Sequence, residues 1–588
     1  PPATPARLAD GVPMPRESPA LARVIAHMEP GRRFFEIHAV EGGSAAFAIS
    51  TAEEAGRLTR IVGLGRARKG EPPPGDEAEA ALARARAAGA EALVAQHRDA
   101  WAARWADADI EVDGDLELQR GLRFALYHLI SSADPDSDLA SVGARGLTGP
   151  GYRGHVFWDT EVFLLPFYAW THPASARALL AYRYRTLDAA RARAAALGYR
   201  GALFAWESAD TGEDVTPPFG IMPDGVKMPI LTGEQEHHIA ADVAWAVWRY
   251  WEISGDDAFL AEKGAEIMLE TARFWASRAR RGDDGRFHIE RVIGPDEYHE
   301  TIDDNAFTNV LARWNIERAA ELPGILARID PDAWPAVSRR LGLADDELKA
   351  WLEVANGLVD GFDPKTKLFE QFAGFFGLED VKAVDIAERP FAGDIVLGRE
   401  RTDRAQMVKQ ADVLMLVHML PEILEPGVAE VNYAYYEPRT SHGSSLSPAI
   451  HGALAARVGQ LEDAVAYTRM AAALDLANGM GNASQGVHVA TMGGLWQAMA
   501  VGFGGVAAVG SSLRIDPVLP PGWTRLRFPI RWRGSRVVVE VEDRRLALEL
   551  DGPAEVRLGT RGEPRRLGAG RYRATRRGDG WSTPEVDR

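Results

Sequence analysis

A helical periodicity runs through most of this sequence and limits the folds that it can adopt. Between about residues 116 and 505, apolar residues such as Ile239, Val243 and Val247 recur at spacings of three and four, which places them on one face of a helix. Roughly a dozen such segments follow one another, joined by long loops rich in Gly, Pro, Asp and Trp. We predict a mainly α protein built on a double ring of helices, an (α/α)6 barrel. A flat bundle or a solenoid is the alternative, although no repeat of fixed period is present.

The segments on either side of this helical part differ from it in composition. Residues 1–70 contain two short β-like runs and no strong helical period, so a reduced N-terminal β region is expected. Residues 71–115 begin with a Pro-rich boundary and continue with many Ala, Glu and Arg, which favours a helical linker. The barrel is assigned to residues 116–505. Alternating apolar residues within 506–588 predict a small C-terminal all-β domain.

Charge and cysteine content exclude several functions. The chain has 67 Lys and Arg against 84 Asp and Glu, a formal net charge of −17. A nucleic-acid binder needs cationic surface to neutralise phosphates, so we expect no nucleic-acid partner. The sequence contains no cysteine, which excludes disulfides, thiolate metal sites and cysteine nucleophiles.

Neither the start of the sequence nor its longest uncharged stretch indicates a membrane protein. The first residues lack the basic and apolar regions of a signal peptide, and we expect a cytoplasmic protein. The stretch between His488 and Arg514 carries no formal charge but contains six glycines. It is interpreted as a buried helix that ends in a Gly-rich loop, because a membrane span needs a longer apolar run.

Metal binding has little support in the sequence. His237 and His238 stand at the start of a predicted helix, but no third ligand is spaced with them. The acidic turn at 109–115 resembles a calcium loop only loosely, because the other ligands of such a loop do not follow. We predict no metal and no organic cofactor.

Four loops combine aromatic residues with carboxylates. Such loops bind sugars, because aromatic rings cover the C–H faces while carboxylates and amides bond to the hydroxyl groups. Glycoside cleavage also requires a carboxylic acid that protonates the leaving oxygen. Each loop alone is more readily explained by structure, but four on one helical scaffold indicate a protein that acts on carbohydrate. The loops are 151–161, 205–213, 293–300 and 435–445.

The motifs within these loops resemble those of glycoside hydrolase family 65, the inverting α-glucoside phosphorylases and hydrolases. The resemblance covers the chain from about Trp101 to Gly494 and includes Gly-Pro-Asp-Glu-Tyr-His at 294–299 and Thr-Ser-His-Gly-Ser-Ser at 440–445. It implies an (α/α)6 catalytic barrel, an N-terminal β-sandwich with a helical linker and a small C-terminal β-domain. Fewer residues precede the linker than is usual in the family. The sandwich is therefore expected to be partial, and a homodimer formed through it is left open.

The resemblance also implies roles for individual residues. Glu297 is implied to be the general acid. Two loops, which contain Trp206, Glu207 and His238, are most similar to the kojibiose phosphorylase-like branch of the family. They are expected to contact the acceptor part of the substrate, a small α-glucoside. The residues that match the site for the nonreducing glucose are Trp158, Asp159, Lys409 and Gln410.

The nucleophile is left open between phosphate and water. A phosphorylase would cleave an α-linked glucosyl disaccharide with inorganic phosphate as co-substrate and release β-glucose 1-phosphate. An inverting hydrolase would use Glu437 as general base to activate a water, and a carbohydrate-binding barrel without activity is the third alternative. We favour phosphate, because one short run offers a cation and several hydrogen-bond donors. The candidate phosphate ligands are Arg439, Thr440, Ser441, His442, Ser444, Ser445 and His488. The serines also suit a helix N-cap.

Overall fold

The structure is a computed structural model that describes residues 21–29, 32–39, 43–67, 70–221, 227–578 and 580–587. The chain divides into two compact units. The first comprises Pro1–Trp105 with Ile221–Val226, and the second comprises Ala106–Gly220 with Lys227–Arg588. Residues 1–20 of the predicted N-terminal β region lie outside the described residues. The domain boundaries drawn from the sequence stay predictions.

The first unit contains an antiparallel sheet of four strands in sequence order, followed by helices. One face of the sheet packs on the first helix through a small core of Ala46, Ala48, Ala78 and Leu82. This contact requires Gly63, because a Cβ there would lie 2.1 Å from the backbone oxygen of Ala78. The elements are β1 (Leu21–Glu29), β2 (Arg32–Ala39), β3 (Ser44–Glu54), β4 (Arg57–Ala67), α1 (Gly75–Ala88) and α2 (Ala90–Ala106).

The second unit is mainly helical, as predicted. The face formed by Ile239, Val243 and Val247 is buried. The helices are α3 (Leu116–Ser132), α4 (Leu165–Thr171), α5 (Pro173–Arg185), α6 (Leu187–Ala196), α7 (Thr232–Gln235), α8 (Ile239–Ser254), α9 (Asp257–Phe259), α10 (Ala265–Arg278), α11 (Ala306–Ile329), α12 (Ala333–Leu341), α13 (Glu347–Gly357), α14 (Gly393–Val396), α15 (Arg399–Thr402), α16 (Asp412–Met419), α17 (Val428–Tyr436), α18 (Ser447–Arg457), α19 (Leu461–Ala473) and α20 (Val489–Gln497).

Six of these helices contact one another in a closed sequence. α4 contacts α8, α8 contacts α11, α11 contacts α16, α16 contacts α18, α18 contacts α20, and α20 returns to α4. Other helices lie against this ring, among them α5 and α10 on α8, α17 on α16, and α19 on α18. A π-helical turn, Thr160–Leu164, leads directly into α4. We call these six helices the contact ring.

Among the described helices, none is both long and apolar enough to span a membrane. The uncharged stretch after His488 forms α20, which is buried throughout, and then a π-helical turn at Ala498–Phe503. This agrees with the buried helix predicted from the sequence. The acidic turn before α3 also has a structural explanation, because the Asp115 side chain accepts the backbone N–H of Leu118 at 3.0 Å and caps that helix.

A small sheet domain ends the chain, as predicted. Its larger sheet has the order β20-β19-β16-β15-β14-β5, and its smaller sheet the order β12-β13-β17-β18. Residues 111–113, which the sequence assigns to the linker, form β5 (Glu111–Asp113) and pair with β14. The C-terminal strands are β12 (Ala507–Val509), β13 (Ser512–Ile515), β14 (Arg525–Trp532), β15 (Ser535–Glu542), β16 (Arg545–Leu550), β17 (Ala554–Leu558), β18 (Arg565–Leu567), β19 (Gly570–Arg577), β20 (Gly580–Trp581) and β21 (Glu585–Val586). The remaining short strands are β6 (Phe219–Ile221), β7 (Lys227–Pro229), β8 (Arg280–Arg281), β9 (Phe287–His288), β10 (Phe362–Asp363) and β11 (Leu368–Phe369).

Candidate active site

The predicted site residues stand in the loops that lead into the contact ring. Asp159 directly precedes the helical run into α4, His238 precedes α8, and His488 precedes α20. Gln410 and Ser445 lie within two residues of the starts of α16 and α18. The first turn of a helix carries unpaired N–H groups and the positive end of the helix dipole. Such a set of helix starts therefore favours polar and anionic ligands.

Glu297 is positioned by its neighbour Asp296, which is buried. Asp296 accepts the backbone N–H of Lys409 at 2.8 Å, and its own N–H donates to Asp412 at 2.6 Å. Gly294 permits this approach, because a Cβ there would lie 2.1 Å from an oxygen of Asp412. Since Asp296 makes the hydrogen bonds that fix the loop, Glu297 is free to project from it, with 37% of its side chain exposed.

The partner of Glu297 is Lys409, 112 residues away in the sequence. The Lys409 Nζ lies 2.5 Å from Glu297 Oε2. Burial alone would lower the pKa of the Lys409 ammonium, but the charge of Glu297 and this hydrogen bond outweigh burial and raise the pKa. In the free site, therefore, the two residues form an ion pair.

Trp158 and Asp159 form a buried corner beside this pair. Trp158 packs edge-on against His238, with ring centroids 5.0 Å apart. Burial raises the pKa of Asp159 to about 7, and the charges of Glu161 and Glu297 act in the same direction. Gln410, which the sequence predicts beside them, donates to the Pro295 oxygen at 2.6 Å and leaves its own oxygen without a partner among the described residues.

The acceptor residues predicted from the sequence lie against this corner. The Trp206 ring lies 6.4 Å from that of Trp158 and 5.4 Å from that of His238. Glu207 is paired with His155 at 2.6 Å, and burial raises the pKa of its carboxyl. The structure thus brings Trp158, Trp206 and His238 into one aromatic wall.

The sequence prediction missed Glu236. This side chain is fully buried, and neither of its oxygens has a hydrogen-bond partner among the described residues. Burial, and after it the charge of Glu297, raises the pKa of Glu236 well above its ordinary value. His238 lies 3.8 Å away and is bonded on its other side to Asp242 at 2.6 Å. The only sequence signal was the run of polar residues at 234–238 before an apolar helix.

Two residues of the run from 439 to 445 make hydrogen bonds that hold the loop, and the others lie nearer to the ion pair. The Arg439 guanidinium is bound by both oxygens of Asp380, each at 2.9 Å, and by the Tyr435 oxygen at 2.7 Å. Thr440 donates to the Tyr436 oxygen. These two predicted phosphate ligands are therefore engaged in holding the loop.

The rest of the run lies closer to the ion pair. The Ser441 hydroxyl is 3.3 Å from that of Tyr298, and a Cβ on Gly443 would lie 3.5 Å from Lys409. His442 is buried against Ser447, and burial lowers its pKa well below the ordinary value. Ser444 and Ser445 are half-buried, and Ser444 accepts the backbone N–H of Leu446 at 3.3 Å.

His488 directly precedes α20, the helix that contacts this run. Thr491 in the same helix donates to the Ser445 oxygen at 2.9 Å. The His488 Nδ1 is 2.6 Å from Asp475 and 3.4 Å from Arg145, and neither of those two residues was predicted. Arg145 also donates to the Gly486 oxygen at 2.8 Å, so it ties α20 to the loop before Trp158.

Glu437, the candidate general base, is bound by cationic and hydroxyl donors. Arg389 donates to its Oε1 at 2.8 Å, and the Tyr467 hydroxyl donates to the same oxygen. Arg389 also donates to the backbone oxygens of Glu437 and Thr440. This carboxylate is therefore part of the scaffold that shapes the 437–440 turn.

No cluster of three or more His, Cys, Asp or Glu side chains that could hold a metal ion occurs in the part of the chain that the structure describes. A cavity of about 1000 Å³ between α8, α11 and the C-terminal domain contains none of the predicted site residues. The candidate site is thus defined by the side chains gathered at the helix starts, not by this cavity.

Comparison with known proteins places these residues in a family. The model of the glycosyl hydrolase family 65 central catalytic domain matches residues 123–497, and that of the family's C-terminal domain matches residues 508–567. A solved structure of a protein from the human microbiome superposes with a TM-score of 0.84 at 25% identity, over 95% of this chain and 81% of that chain. Both matches agree with the resemblance seen in the sequence.

Several curated relatives are phosphorylases. The kojibiose phosphorylase of Halothermothrix orenii is 42% identical over 81% of this chain and 62% of its own length. The kojibiose phosphorylase of Escherichia coli is 37% identical over 79% and 60%, and the α,α-trehalose phosphorylase of Thermoanaerobacter brockii is 37% identical over 74% and 55%. The chain thus matches roughly three fifths of the length of these relatives.

Proposed function

The chain belongs to glycosyl hydrolase family 65, and on that premise we propose that it is an inverting α-glucoside phosphorylase. Its substrate is an α-linked glucosyl disaccharide of the kojibiose type, its co-substrate is inorganic phosphate, and its product is β-glucose 1-phosphate. The kojibiose phosphorylases among its relatives support this choice of substrate. The closed contacts of the six ring helices support an (α/α)6 barrel as the catalytic domain.

One observation carries the choice of phosphate over water. An inverting hydrolase needs a carboxylate that is free to take a proton from the attacking water. Glu437 was the candidate for that role, but Arg389 and Tyr467 both bind its Oε1. Because Arg389 also donates to the backbone oxygens of Glu437 and Thr440, this side chain is held within the turn and is not free to orient and deprotonate a water. Phosphate needs no such base, since it is already an anionic nucleophile.

In the proposed reaction Glu297 protonates the glycosidic oxygen while phosphate attacks the anomeric carbon from the opposite face. The bond from the anomeric carbon to the leaving oxygen breaks, a bond to a phosphate oxygen forms, and the configuration inverts. The overall change converts an α-glucoside and monohydrogen phosphate into β-glucose 1-phosphate and an alcohol. The proton that the alcohol gains therefore balances the one that phosphate loses.

The ion pair of Glu297 and Lys409 is the resting arrangement. A carboxylate that is bonded to an ammonium carries no proton to donate, so Lys409 must move and Glu297 must take up a proton from solvent before it acts as an acid. A glucose hydroxyl near Trp158 and Asp159 offers Lys409 a new acceptor. Binding of the sugar would then separate the pair and couple recognition of glucose to activation of the acid.

The test is a screen of glucosyl disaccharides, including kojibiose, in the presence of inorganic phosphate. Proton NMR of the first product should show β-glucose 1-phosphate, which identifies the inverting phosphorylase. Free β-glucose formed from the nonreducing unit, without glucose 1-phosphate, would instead indicate an inverting hydrolase. Binding of disaccharide without any product would favour a carbohydrate-binding protein. A homodimer stays a prediction.

A further inference from the structure

The side chain of Asp475 holds His488 with both of its oxygens. Oδ1 lies 2.6 Å from His488 Nδ1, and Oδ2 accepts the backbone N–H of His488 at 2.8 Å. Both side chains are only 5% exposed. A carboxylate oxygen can only accept a hydrogen bond, so at 2.6 Å Nδ1 carries the hydrogen toward Asp475. The Arg145 Nη1, which lies farther from Nδ1 at 3.4 Å, donates instead to the Gly486 oxygen at 2.8 Å. In the neutral ring, Nε2 then presents a lone pair.

The other ring nitrogen, Nε2, is the atom of His488 that the described residues leave open. Nε2 of His488 is buried and lacks a hydrogen-bond partner among the described residues. A buried polar atom without a partner is unfavourable and points to a ligand or to a fixed role. The surroundings favour an oxyanion, because the Arg145 guanidinium lies 3.4 Å from the His488 ring and the positive end of the α20 dipole lies at His488. Thr491 also links this helix to Ser445, a candidate phosphate ligand, at 2.9 Å.

Building on the proposed function, we propose that Asp475 is a positioning residue that makes His488 Nε2 a hydrogen-bond acceptor. The site then prefers an oxyanion that carries its own hydrogen. Phosphate retains a P–OH group at neutral pH and can donate it to Nε2. Sulfate has the same shape but no hydrogen to donate, so its oxygens face the lone pair of Nε2 and are repelled. Asp475 thereby selects phosphate among tetrahedral anions.

The hydrogen bond leaves the reaction balanced. One phosphate oxygen keeps its hydrogen and donates it to Nε2, while a different oxygen forms the bond to the anomeric carbon. The electron pair of the broken glycosidic bond stays on the leaving oxygen, which takes its proton from Glu297. His488 thus orients the nucleophile without taking part in the proton transfer to the sugar. The ester formed gives its remaining hydrogen to solvent, which balances the proton that Glu297 takes up before the next turnover.

The substitution Asp475→Asn inverts the polarity of this contact at constant shape. The backbone N–H of His488 requires an acceptor, so the amide oxygen of Asn must occupy the position of Oδ2. The amide NH₂ then faces Nδ1 and can only donate to it. The ring hydrogen is therefore driven to Nε2, which becomes a donor toward the bound anion.

Inhibition by sulfate measures the expected change. In Asp475→Asn the KM for phosphate should rise and the Ki for sulfate should fall, so that the ratio of Ki to KM falls by roughly tenfold or more, as for one hydrogen bond to a charged group. The kcat should fall less than kcat/KM for phosphate. If Asp475 had a merely structural role, its substitution would weaken the binding of both anions by the same factor. An unchanged ratio of Ki to KM would therefore overturn the proposal.

A matched control removes a histidine–carboxylate contact elsewhere. Asp284 lies 3.2 Å from His288 Nε2 on an exposed hairpin, and Asp284→Asn should leave the anion ratio at its wild-type value. If Asp475→Asn does not fold, ¹⁵N NMR of the histidine-labelled wild type gives the answer, with His488→Gln used for assignment. An unprotonated Nε2 supports the proposal, and a protonated Nε2 overturns it.

Failure of this inference is distinguishable from failure of the proposed function. If the wild type phosphorolyses no α-glucoside, the proposed function fails. Calorimetric titration of the wild type and Asp475→Asn with inorganic phosphate and with sulfate still measures the anion preference. Preference for phosphate in the wild type and for sulfate in the variant supports the inference, and equal preference in both contradicts it.

Discussion

The loops around Glu297 and Glu437 use their carboxylates in opposite ways. In the first, Asp296 makes the hydrogen bonds that fix the loop, and Glu297 is bonded to Lys409. In the second, Glu437 itself is bound by Arg389 and Tyr467. A carboxylate whose bonds hold the fold together is poorly suited to exchange a proton with a substrate. The contrast separates a reacting side of the site from a supporting side.

Stability should follow the same division. Glu236 is buried on the reacting side with no partner for its carboxyl oxygens among the described residues, which is unfavourable for folding. On the supporting side Arg439 is matched to both oxygens of Asp380. Substitutions on the reacting side should therefore reduce activity without reducing stability, and those on the supporting side should do the reverse.

The largest effect is expected at Glu297. Glu297→Gln should lower turnover by about 10²–10⁴-fold, because general acid catalysis contributes that much, while the melting temperature stays near that of the wild type. Glu300→Gln is the control in the same loop, since its exposed pair with Arg399 contributes at most about 1 kcal/mol. A Glu297→Gln variant that keeps more than about a tenth of the wild-type rate would contradict the role of general acid.

Asp159 provides the test of stability on the reacting side. Its pKa of about 7 in the folded protein exceeds the ordinary value of 3.8, so the folded state binds the proton more tightly than the unfolded state. The resulting loss of stability is absent below about pH 4 and complete above about pH 7. Asp159→Asn should remove this loss, and the difference in free energy of unfolding should grow by up to about 4 kcal/mol across that window.

Activity and denaturation of Asp159→Asn can be measured on the same sample. We expect a variant that no longer recognises the nonreducing glucose and yet unfolds at higher denaturant concentration than the wild type at pH 8. If the difference in free energy of unfolding between the variant and the wild type is the same at pH 5 and at pH 8, burial does not destabilise the ionised Asp159 carboxyl.

A smaller effect is expected at Glu207, which lies with Trp206 at the acceptor side. Glu207→Gln weakens the contact with His155 and should change the preference between acceptor sugars by about tenfold in the synthetic direction. The choice of donor should be unaffected. Competition between two acceptors with glucose 1-phosphate measures this, and a variant that alters donor choice alone would overturn the division of the pocket.

The sequence predicts a residue of this site best when the residues that define its role are close to it along the chain. The residues before each ring helix, such as Asp159, Glu297 and His488, stand in continuous motifs, so the sequence identified them. Their roles in catalysis and binding stay predictions. The predominance of helix and the C-terminal sheets also followed from local periodicity.

What the sequence could not predict depends on distant partners. Arg389 is 48 residues from Glu437, and no local pattern joins them. Arg439 resembles a phosphate ligand in the sequence, but Asp380, 59 residues away, engages its guanidinium. Glu236 was missed because an orphaned carboxyl can be recognised only once its neighbours are in place.

The smallest effect on turnover is expected at Glu437. Glu437→Gln loses its ionic contact with Arg389, and the free energy of unfolding should fall by about 1–3 kcal/mol. Phosphorolysis by the folded fraction should stay within a few-fold of the wild type. Chemical denaturation and active-site-normalised rates, measured together, separate the two effects.

The most direct test of the account is the rate of free glucose release from a cleaved disaccharide, with and without inorganic phosphate, for the wild type and Glu437→Gln. We predict that glucose 1-phosphate forms only with phosphate, that cleavage in phosphate-free buffer is negligible, and that Glu437→Gln behaves like the wild type in both respects. Full-speed release of the nonreducing glucose without phosphate, abolished by Glu437→Gln, would contradict the account and make Glu437 the base of a hydrolase.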